Sequence, residues 1–258
     1  MPITLNHLCS MLLLCFAGTL SAAQEVVIFG DNDYRPVIFS DDQGHSSGIL
    51  AQVLQQFARD SGTAVKIKLY PWKRAYVSAE EGLGGVVGIS RTTERLAVFD
   101  YSEPIYDDSI NVVVLAGHEF PFNSLADLKG KKIGVQSGAS YGSEVDAAIE
   151  AGDLTVEADQ SHKSRLNKLL YGRIDAAFIG NGQRGLQSLL HSDELLADKM
   201  EQFVVLPRPL TNDLLYLAFA KSMNMQTFLQ EFNAWLAEAQ NNRSISGLES
   251  LQAFEAAN

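Results

Sequence analysis

The sequence predicts an α/β protein made of two similar lobes. Short apolar runs typical of buried strands alternate with amphipathic helical segments along the chain. The order strand, helix, strand, helix, strand occurs once from residue 25 and again from residue 124, without a visible sequence repeat. Two such units would enclose a cleft, and clefts of this kind commonly bind small molecules.

The first unit is defined by its apolar patterns. The segment "SGILAQVLQQFARDSG" places apolar residues on one helical face before Gly62 ends the helix, whereas "AVKIKLY" alternates as a strand. The runs "GVVGIS" and "INVVVLAG" are apolar throughout, as expected for buried strands. The predicted elements are, in order, a strand at 25–30, a helix at 47–62, a strand at 64–70, a helix at 72–82, and strands at 85–90 and 110–117.

The second unit has the same order and is followed by a return to the first. A long strand bounded by prolines is predicted to cross back, and the last helix carries one apolar stripe that indicates core packing. The predicted elements are a strand within 124–138, a helix at 142–152, a strand at 153–158, a helix at 163–172, a strand at 174–180, the return strand at 203–220 and a helix at 225–240.

The crossing points of the chain set the predicted domain limits. We assign residues 24–110 together with 210–258 to lobe 1 and residues 111–209 to lobe 2. The chain then passes between the lobes twice, and the hinges are expected near residues 108–112 and 207–213. Closure about these hinges would bring the two lobes onto one ligand.

The first residues, 1–23, are predicted to be a cleaved secretory signal peptide. An apolar run centred on residues 11–16 is followed by small residues, with Ser21 and Ala23 in the positions that precede cleavage. The run is shorter than the roughly 20 residues of a membrane-spanning helix, although it lacks the usual preceding Lys or Arg. The mature chain is therefore expected in the periplasm.

Composition excludes several classes of function. Both cysteines, Cys9 and Cys15, lie in the predicted signal peptide, so a mature chain would have no disulfide, cysteine-based zinc site or thiol nucleophile. The formal net charge of −11, with no clustered Lys or Arg, argues against nucleic-acid binding. No cofactor motif or metal-binding pattern is predicted. Composition does not exclude hydrolase chemistry.

The segment "GISRTTERLAVFDYSEPIYDD" resembles the ligand-binding segment of family 3 extracellular solute-binding proteins. Together with "YPWKRAY", "LKGKKIGVQSGASYG" and "LLYGRIDAAFIG", the resemblance covers nearly the whole mature chain. It implies a two-lobed, Venus-flytrap fold of periplasmic binding proteins, with two α/β sheets joined by two hinge segments. It also implies a monomeric receptor, not an enzyme, that captures a small carboxylate-bearing, amino-acid-like solute for the membrane permease of an ABC transporter.

The resemblance assigns the carboxylate anchor to Arg95. A guanidinium is a planar fork of donors that matches a carboxylate bidentately. Ser90 and Thr92 would add a hydroxyl and backbone N–H groups to the same carboxylate. The structural alternative for Arg95 is a surface salt bridge with Glu94 or Asp100.

Two aromatic residues occupy positions where the family places the walls of its site. Tyr34 in "DNDYRP" and Trp72 in "YPWKR" would sandwich the ligand's side chain or hold a cation over a ring face. Trp72 is also a candidate for core packing.

The stretch "GASYG" matches the Gly-x-Ser-x-Gly elbow of serine hydrolases, and Asp175 and His191 follow Ser140 in the required order. The resemblance favours a different role. In the family, this loop donates to the ligand carboxylate from the lobe opposite Arg95, so Gly138 and Ser140 are predicted to be clamp residues at a helix N-terminus.

Two departures from the family pattern restrict the expected ligand, and a third, at Gly85, is attributed to structure. The amino-acid receptors carry an Asp for the ligand's α-ammonium where this chain has Gly180 followed by Asn181. Ordinary α-amino acids are therefore expected to bind weakly, and an Asp placed at Gly180 is expected to gain affinity for them. Ala139 removes one hydroxyl donor, and Gly85 replaces a usual Asp.

Two other functions share this fold. A periplasmic dehydratase of the cyclohexadienyl type would need a general acid or base in the cleft, for which Glu103, Asp107 and Asp108 are candidates. A ligand sensor for a membrane kinase would look the same in sequence as a transport receptor.

Overall fold

The computed structural model describes residues 25–242. The predicted signal peptide at 1–23, with both cysteines, and residues 243–258 of the predicted lobe 1 lie outside the described residues. Within 25–242, no helix has the length and apolar character that crossing a membrane requires. The α/β class predicted from the sequence is confirmed.

Twelve strands lie in the described part of the chain. Of these, β2, β3 and β4 form a small separate sheet, which the sequence did not predict. The strands are β1 (Val26–Asp31), β2 (Asp33–Tyr34), β3 (Ile38–Ser40), β4 (Ser46–Ser47), β5 (Val65–Tyr70), β6 (Gly85–Ser90), β7 (Phe99–Tyr101), β8 (Tyr106–Leu115), β9 (Lys132–Gln136), β10 (Thr155–Asp159), β11 (Ala176–Gly180) and β12 (Phe203–Ala220).

Eight α-helices accompany these strands between residues 25 and 242. Three of them, α3, α6 and α7, were not predicted, and the others lie within a few residues of the predicted limits. The helices are α1 (Ile49–Ser61), α2 (Trp72–Glu80), α3 (Thr93–Val98), α4 (Ser143–Glu150), α5 (His162–Leu170), α6 (Gly182–His191), α7 (Glu194–Ala197) and α8 (Gln226–Asn241).

The main sheet is continuous from one lobe to the other. Its strand order is β10-β9-β11-β8-β12-β6-β1-β5, and β7 pairs with β12. The strands β6, β1 and β5 form what we call the first half, and β11, β9 and β10 form the second half. The connecting strands β8 and β12 run antiparallel between them. The two predicted sheets are therefore two halves of one sheet, and the predicted lobe boundaries stay a prediction.

Each half has its own hydrophobic core. In the first half, Phe57 of α1 and Phe232 of α8 meet edge to face, with ring centroids 5.1 Å apart. In the second half, Phe178 of β11 packs against Tyr141 in the same way at 5.0 Å. Separate cores are what allow the two halves to act as separate units.

The parallel strands of both halves point their carboxyl ends at one place. In the first half β1 ends at Asp31 and β6 at Ser90, and in the second half β9 ends at Gln136 and β11 at Gly180. Ligands of open α/β sheets bind outside these carboxyl ends. All four terminal residues line the same cavity.

Candidate ligand-binding site

A cavity lies between the two halves of the sheet. Five of the eight binding residues predicted from the sequence line it, whereas Thr92, Gly138 and Asn181 do not. The lining residues are Asp31, Tyr34, Trp72, Gly88, Ser90, Arg95, Ile110, Gln136, Ala139, Ser140, Tyr141, His162, Arg165, Phe178, Gly180, Asp213 and Leu215.

Arg95 is only 7% exposed and has neutral partners. Its Nη1 donates to the carbonyl of Ser90 at 3.2 Å, and its Nη2 donates to the carbonyl of Gly138 at 3.4 Å. No carboxylate within residues 25–242 forms an ion pair with it. The alternative of a surface salt bridge with Glu94 or Asp100 is therefore wrong. A buried guanidinium that lines a cavity without an anionic partner is suited to bind an anion.

The hydroxyl residues before Arg95 have different surroundings. Ser90 Oγ donates to Oδ2 of Asp213 at 2.5 Å, at the cavity wall. Thr92 is the N-cap of α3, where its Oγ1 accepts from the backbone N–H of Arg95 at 3.3 Å. Thr92 thus orients the helix that carries Arg95 and does not itself line the cavity.

The two predicted aromatic walls connect the halves. Tyr34 stacks on His162 of the second half, with ring centroids 6.1 Å apart and an interplanar angle of 16°, and its hydroxyl donates to Asp108. Trp72 belongs to the core cluster of the first half and also lines the cavity, and its Nε1 donates to the carbonyl of Gly138 at 2.9 Å. Trp72 is therefore both a core residue and part of the cavity wall, and its role against a ligand stays a prediction.

The loop after β9 presents a carbonyl to the first half. Gly138 has a φ of 77°, a left-handed conformation that favours glycine, and its carbonyl accepts from Trp72 and Arg95. Ser140 lines the cavity, while its Oγ donates to Asp146 and accepts from the N–H of Gly142 at 3.3 Å.

The serine-hydrolase constellation is not assembled. The Ser140 hydroxyl pairs with Asp146 and not with a histidine. His191 is exposed at the end of α6, where its Nδ1 contacts the carbonyl of Gln187 at 2.8 Å. The carboxylate of Asp175 accepts from the backbone N–H of Lys132 at 2.7 Å. The elbow motif is therefore a chance match.

A carboxylate from another strand lies beside Gly180. A Cβ added to Gly180 would lie 2.6 Å from the Tyr34 hydroxyl and 2.8 Å from Oδ2 of Asp108. Asp108 is thus placed where an Asp at position 180 would extend, and it comes from β8, which pairs with β11. A carboxylate from β8 therefore lies beside the position at which the sequence has none.

Asn181 supports this carboxylate from behind. Its backbone N–H donates to Oδ1 of Asp108 at 2.7 Å, and its side chain accepts from the hydroxyl of Tyr106. Its φ of 61° starts α6 from a left-handed conformation, which Asn tolerates better than most residues. Asn181 is therefore a positioning residue for Asp108.

The sequence analysis missed another carboxylate, which is partly buried in the cavity wall. Asp213 of β12 lies directly opposite Asp108 of β8, in a register where like charges destabilise the strand pair. Burial, with a contribution from Asp108, raises the pKa of Asp213 to about 7, and burial raises the pKa of Asp108 to about 6. The sequence signal was an Asp in an apolar strand, "NDLLYLAFA".

Of the three carboxylates considered for a dehydratase, only Asp108 reaches the cavity wall, through Tyr34. Glu103 is exposed, and Asp107 does not line the cavity. Within the described chain, no group of three His, Cys, Asp or Glu residues could hold a metal ion.

Replacing Gly180 with Asp is expected to harm the protein instead of adding affinity. The new Cβ would overlap Tyr34 and Asp108, and overpacking of this kind costs about 1–3 kcal/mol. We expect urea denaturation to give a lower free energy of unfolding for both Gly180→Ala and Gly180→Asp. A Gly180→Asp protein that is as stable as wild type and gains affinity for an α-amino acid would contradict this placement of Asp108.

Comparison with known proteins agrees with the geometry. The sequence model of the bacterial extracellular solute-binding proteins, family 3, matches residues 26–250. Over 151 residues, the chain is 28% identical to the L-cystine-binding protein TcyJ of Escherichia coli K12, which covers 58% of this chain. The chain spans 56% of the length of that relative.

Solved structures share the fold. An arginine 3rd transport system periplasmic binding protein from Legionella pneumophila superposes with a TM-score of 0.72 at 15% identity, covering 88% of this chain and 98% of that one. A histidine kinase sensor domain similar to periplasmic binding proteins gives 0.73 at 20% identity, covering 89% and 95%. The two-lobed fold predicted from the sequence is confirmed, and the chain belongs to the bacterial extracellular solute-binding proteins of family 3.

Proposed function

We propose that this protein is a periplasmic receptor that binds a small amino-acid-like solute between its lobes and delivers it to the permease of an ABC transporter. The observation that carries the proposal is the pairing of opposite charges in one cavity. Arg95 is a buried cation without an anionic partner, the partly buried Asp213 lines the same cavity, and the buried Asp108 lies directly opposite Asp213 on the neighbouring strand. A zwitterion complements both groups.

Each half contributes to capture. The solute carboxylate would accept from the Arg95 fork, while the Ser90 hydroxyl holds Asp213 and the solute ammonium lies near Asp108 and Asp213. Tyr34 and Trp72 would flank the rest of the solute. Gly138 and Ser140 would close the site from the second half, and Thr92 and Asn181 would position Arg95 and Asp108.

Contacts between the halves favour an enclosed solute. Besides the bond from Trp72 to Gly138, the backbone N–H of His162 donates to Oδ2 of Asp33 at 3.1 Å. Enclosure removes water from the site, which strengthens each charge-assisted bond. The relatives are solute-binding proteins, and one of them is named for L-cystine and others for arginine. These names support an amino-acid-like solute.

A binding screen tests the proposal. The mature chain, refolded from denaturant to remove any co-purified solute, is screened by thermal shift against amino acids, polyamines, dicarboxylates and sugar acids, because a ligand of the folded state raises the melting temperature. We expect an α-amino acid to give the largest shift and deletion of the gene to lower its uptake. Chemical conversion of the solute, followed by NMR, would favour the dehydratase. Unchanged uptake with altered transcription would favour the kinase sensor.

A further inference from the structure

Arg165 is a second buried arginine in the cavity wall. It is only 1% exposed, and its Nη1 donates to the carbonyl of Phe178 at 2.7 Å. Its Nε and Nη2 have no hydrogen-bond partner. A guanidinium that is removed from water and has two unused donors costs free energy unless something else accepts them.

Arg165 forms no ion pair within residues 25–242. Burial raises the pKa of Asp31 and of Asp33, and the charge of Arg165 partly offsets this, so both carboxylates lie within its electrostatic reach. Their hydrogen bonds go elsewhere, to the backbone N–H of Asp33 and the Gln136 amide for Asp31 and to the backbone N–H of His162 for Asp33. Oδ1 of Asp159 is engaged by Lys168 at 2.6 Å and by the Ser164 hydroxyl at 2.9 Å, and its Oδ2 has no hydrogen-bond partner. An anionic group from outside the chain would satisfy the unused donors of Arg165.

His162 adds a third donor to the same place. Its Nδ1 lies 3.5 Å from Nη1 of Arg165, and because a guanidinium can only donate, this nitrogen must be the acceptor. The ring proton is then on Nε2, which is buried and has no hydrogen-bond partner. Burial, with the charge of Arg165, holds the pKa of His162 well below its usual value, so the ring is neutral. Its Nε2–H complements an acceptor.

The local backbone also favours an anion here. Arg165 lies at the start of α5, which begins at His162, and the positive end of a helix dipole disfavours a cation and stabilises an anion. The chain accommodates this arginine through Gly134 of β9, where a Cβ would lie 2.7 Å from Cγ of Arg165. The arginine is therefore fitted into the wall at a place where its charge is disfavoured.

We propose that Arg165 and His162 bind a second anionic group of the solute, opposite the one at Arg95. The solute class is then a dicarboxylic amino acid, with one carboxylate at each arginine and its ammonium near Asp108 and Asp213. This inference rests on the proposed receptor function and narrows its solute. The inference does not depend on the role proposed for Gly138 and Ser140.

Paired probes that differ by one carboxylate test this inference. Calorimetry is performed with L-glutamate against L-glutamine, meso-2,6-diaminopimelate against L-lysine, and L-cystine against its monomethyl ester. We expect at least one diacid to bind and its partner to bind roughly 10- to 100-fold more weakly, the range for lost hydrogen bonds to a charged group. Arg165→Met should weaken binding of the diacid by the same factor. Arg173→Met, at an exposed position after α5, should leave that affinity unchanged.

A measurement without ligand separates binding from a structural role. Because Arg165 is a buried charge with unsatisfied donors, Arg165→Met should raise the melting temperature of the solute-free protein by about 2 °C or more. Unchanged diacid affinity in Arg165→Met, equal binding of both members of every pair, or a lowered melting temperature would overturn the second anchor. Binding of monocarboxylates that depends on Arg95 alone would leave the receptor function intact. A panel in which nothing binds would reject both.

Discussion

Arg95→Ala is expected to abolish solute binding while the protein remains folded. The variant leaves the solute carboxylate buried without its charged partner, and removal of one member of such a pair costs about 2–5 kcal/mol, roughly 30-fold to several-thousand-fold in affinity. Arg95→Lys should not restore binding, since an ammonium lacks the planar fork. Calorimetry with the best solute from the screen measures the loss, and circular dichroism verifies the fold.

Arg91→Ala is the matched control for Arg95. Arg91 lies four residues earlier and is exposed, with its guanidinium carbon 4.9 Å from the centroid of the Tyr216 ring, and it does not line the cavity. We expect this variant to bind as wild type does. Retained affinity in Arg95→Ala would remove the carboxylate anchor from the proposal.

Asp213→Asn is expected to stabilise the solute-free protein at pH 8 and to weaken its binding. Burial raises the pKa of Asp213 from 3.8 to about 7 in the folded chain. At about 1.4 kcal/mol for each pKa unit, ionised Asp213 destabilises the fold by a few kcal/mol. The amide keeps an acceptor for the Ser90 hydroxyl but carries no charge, so solutes that have an ammonium should lose affinity.

The pH dependence has a definite sign. Between pH 4 and 7, the folded chain holds a proton on Asp213 that the unfolded chain has released, so the stability of wild type falls as pH rises through about 7. Asp31 and Asp108, with pKa values raised to about 6 by burial, act in the same direction. Melting temperatures between pH 5 and 8 should therefore fall less steeply for Asp213→Asn than for wild type.

Asp42→Asn makes the same change in net charge on an exposed turn, and it should leave the pH profile unchanged. Affinity for an ammonium-bearing solute should show the opposite trend to stability, because its partners must be ionised, and should fall as the pH is lowered. Parallel profiles for wild type and Asp213→Asn would mean that Asp213 does not titrate in this range.

The fold and the candidate anchor could be predicted from the sequence because both depend on local patterns. Apolar periodicity predicts strands and helices directly, and Arg95 lies in a continuous motif that begins at Ser90. The order of strands in the sheet is harder to predict from the sequence. It depends on the pairing of β8 with β12, whose partners are about a hundred residues apart in the chain.

The contacts that the sequence analysis missed depend on pairing between strands that are distant in the chain. Ser90 meets Asp213 from 123 positions away, and Asp108 reaches the space beside Gly180 only because β8 lies next to β11. The sequence therefore lacks an Asp at position 180, whereas the fold places Asp108 beside that position from the neighbouring strand. Arg165 was overlooked for a related reason, since nothing in its helix distinguishes a buried arginine from an exposed one.

The bond from Trp72 to Gly138 gives the protein an internal optical signal. The chain has two tryptophans, and the other, Trp235, lies on α8 with its Nε1 bonded to Asp60 at 2.9 Å, on the first half alone. Separation of the halves would break the indole bond of Trp72 and admit water to its ring, while Trp235 would keep its surroundings. In a Trp235→Phe chain, the intrinsic fluorescence of Trp72 therefore reports directly on the opening of the cleft.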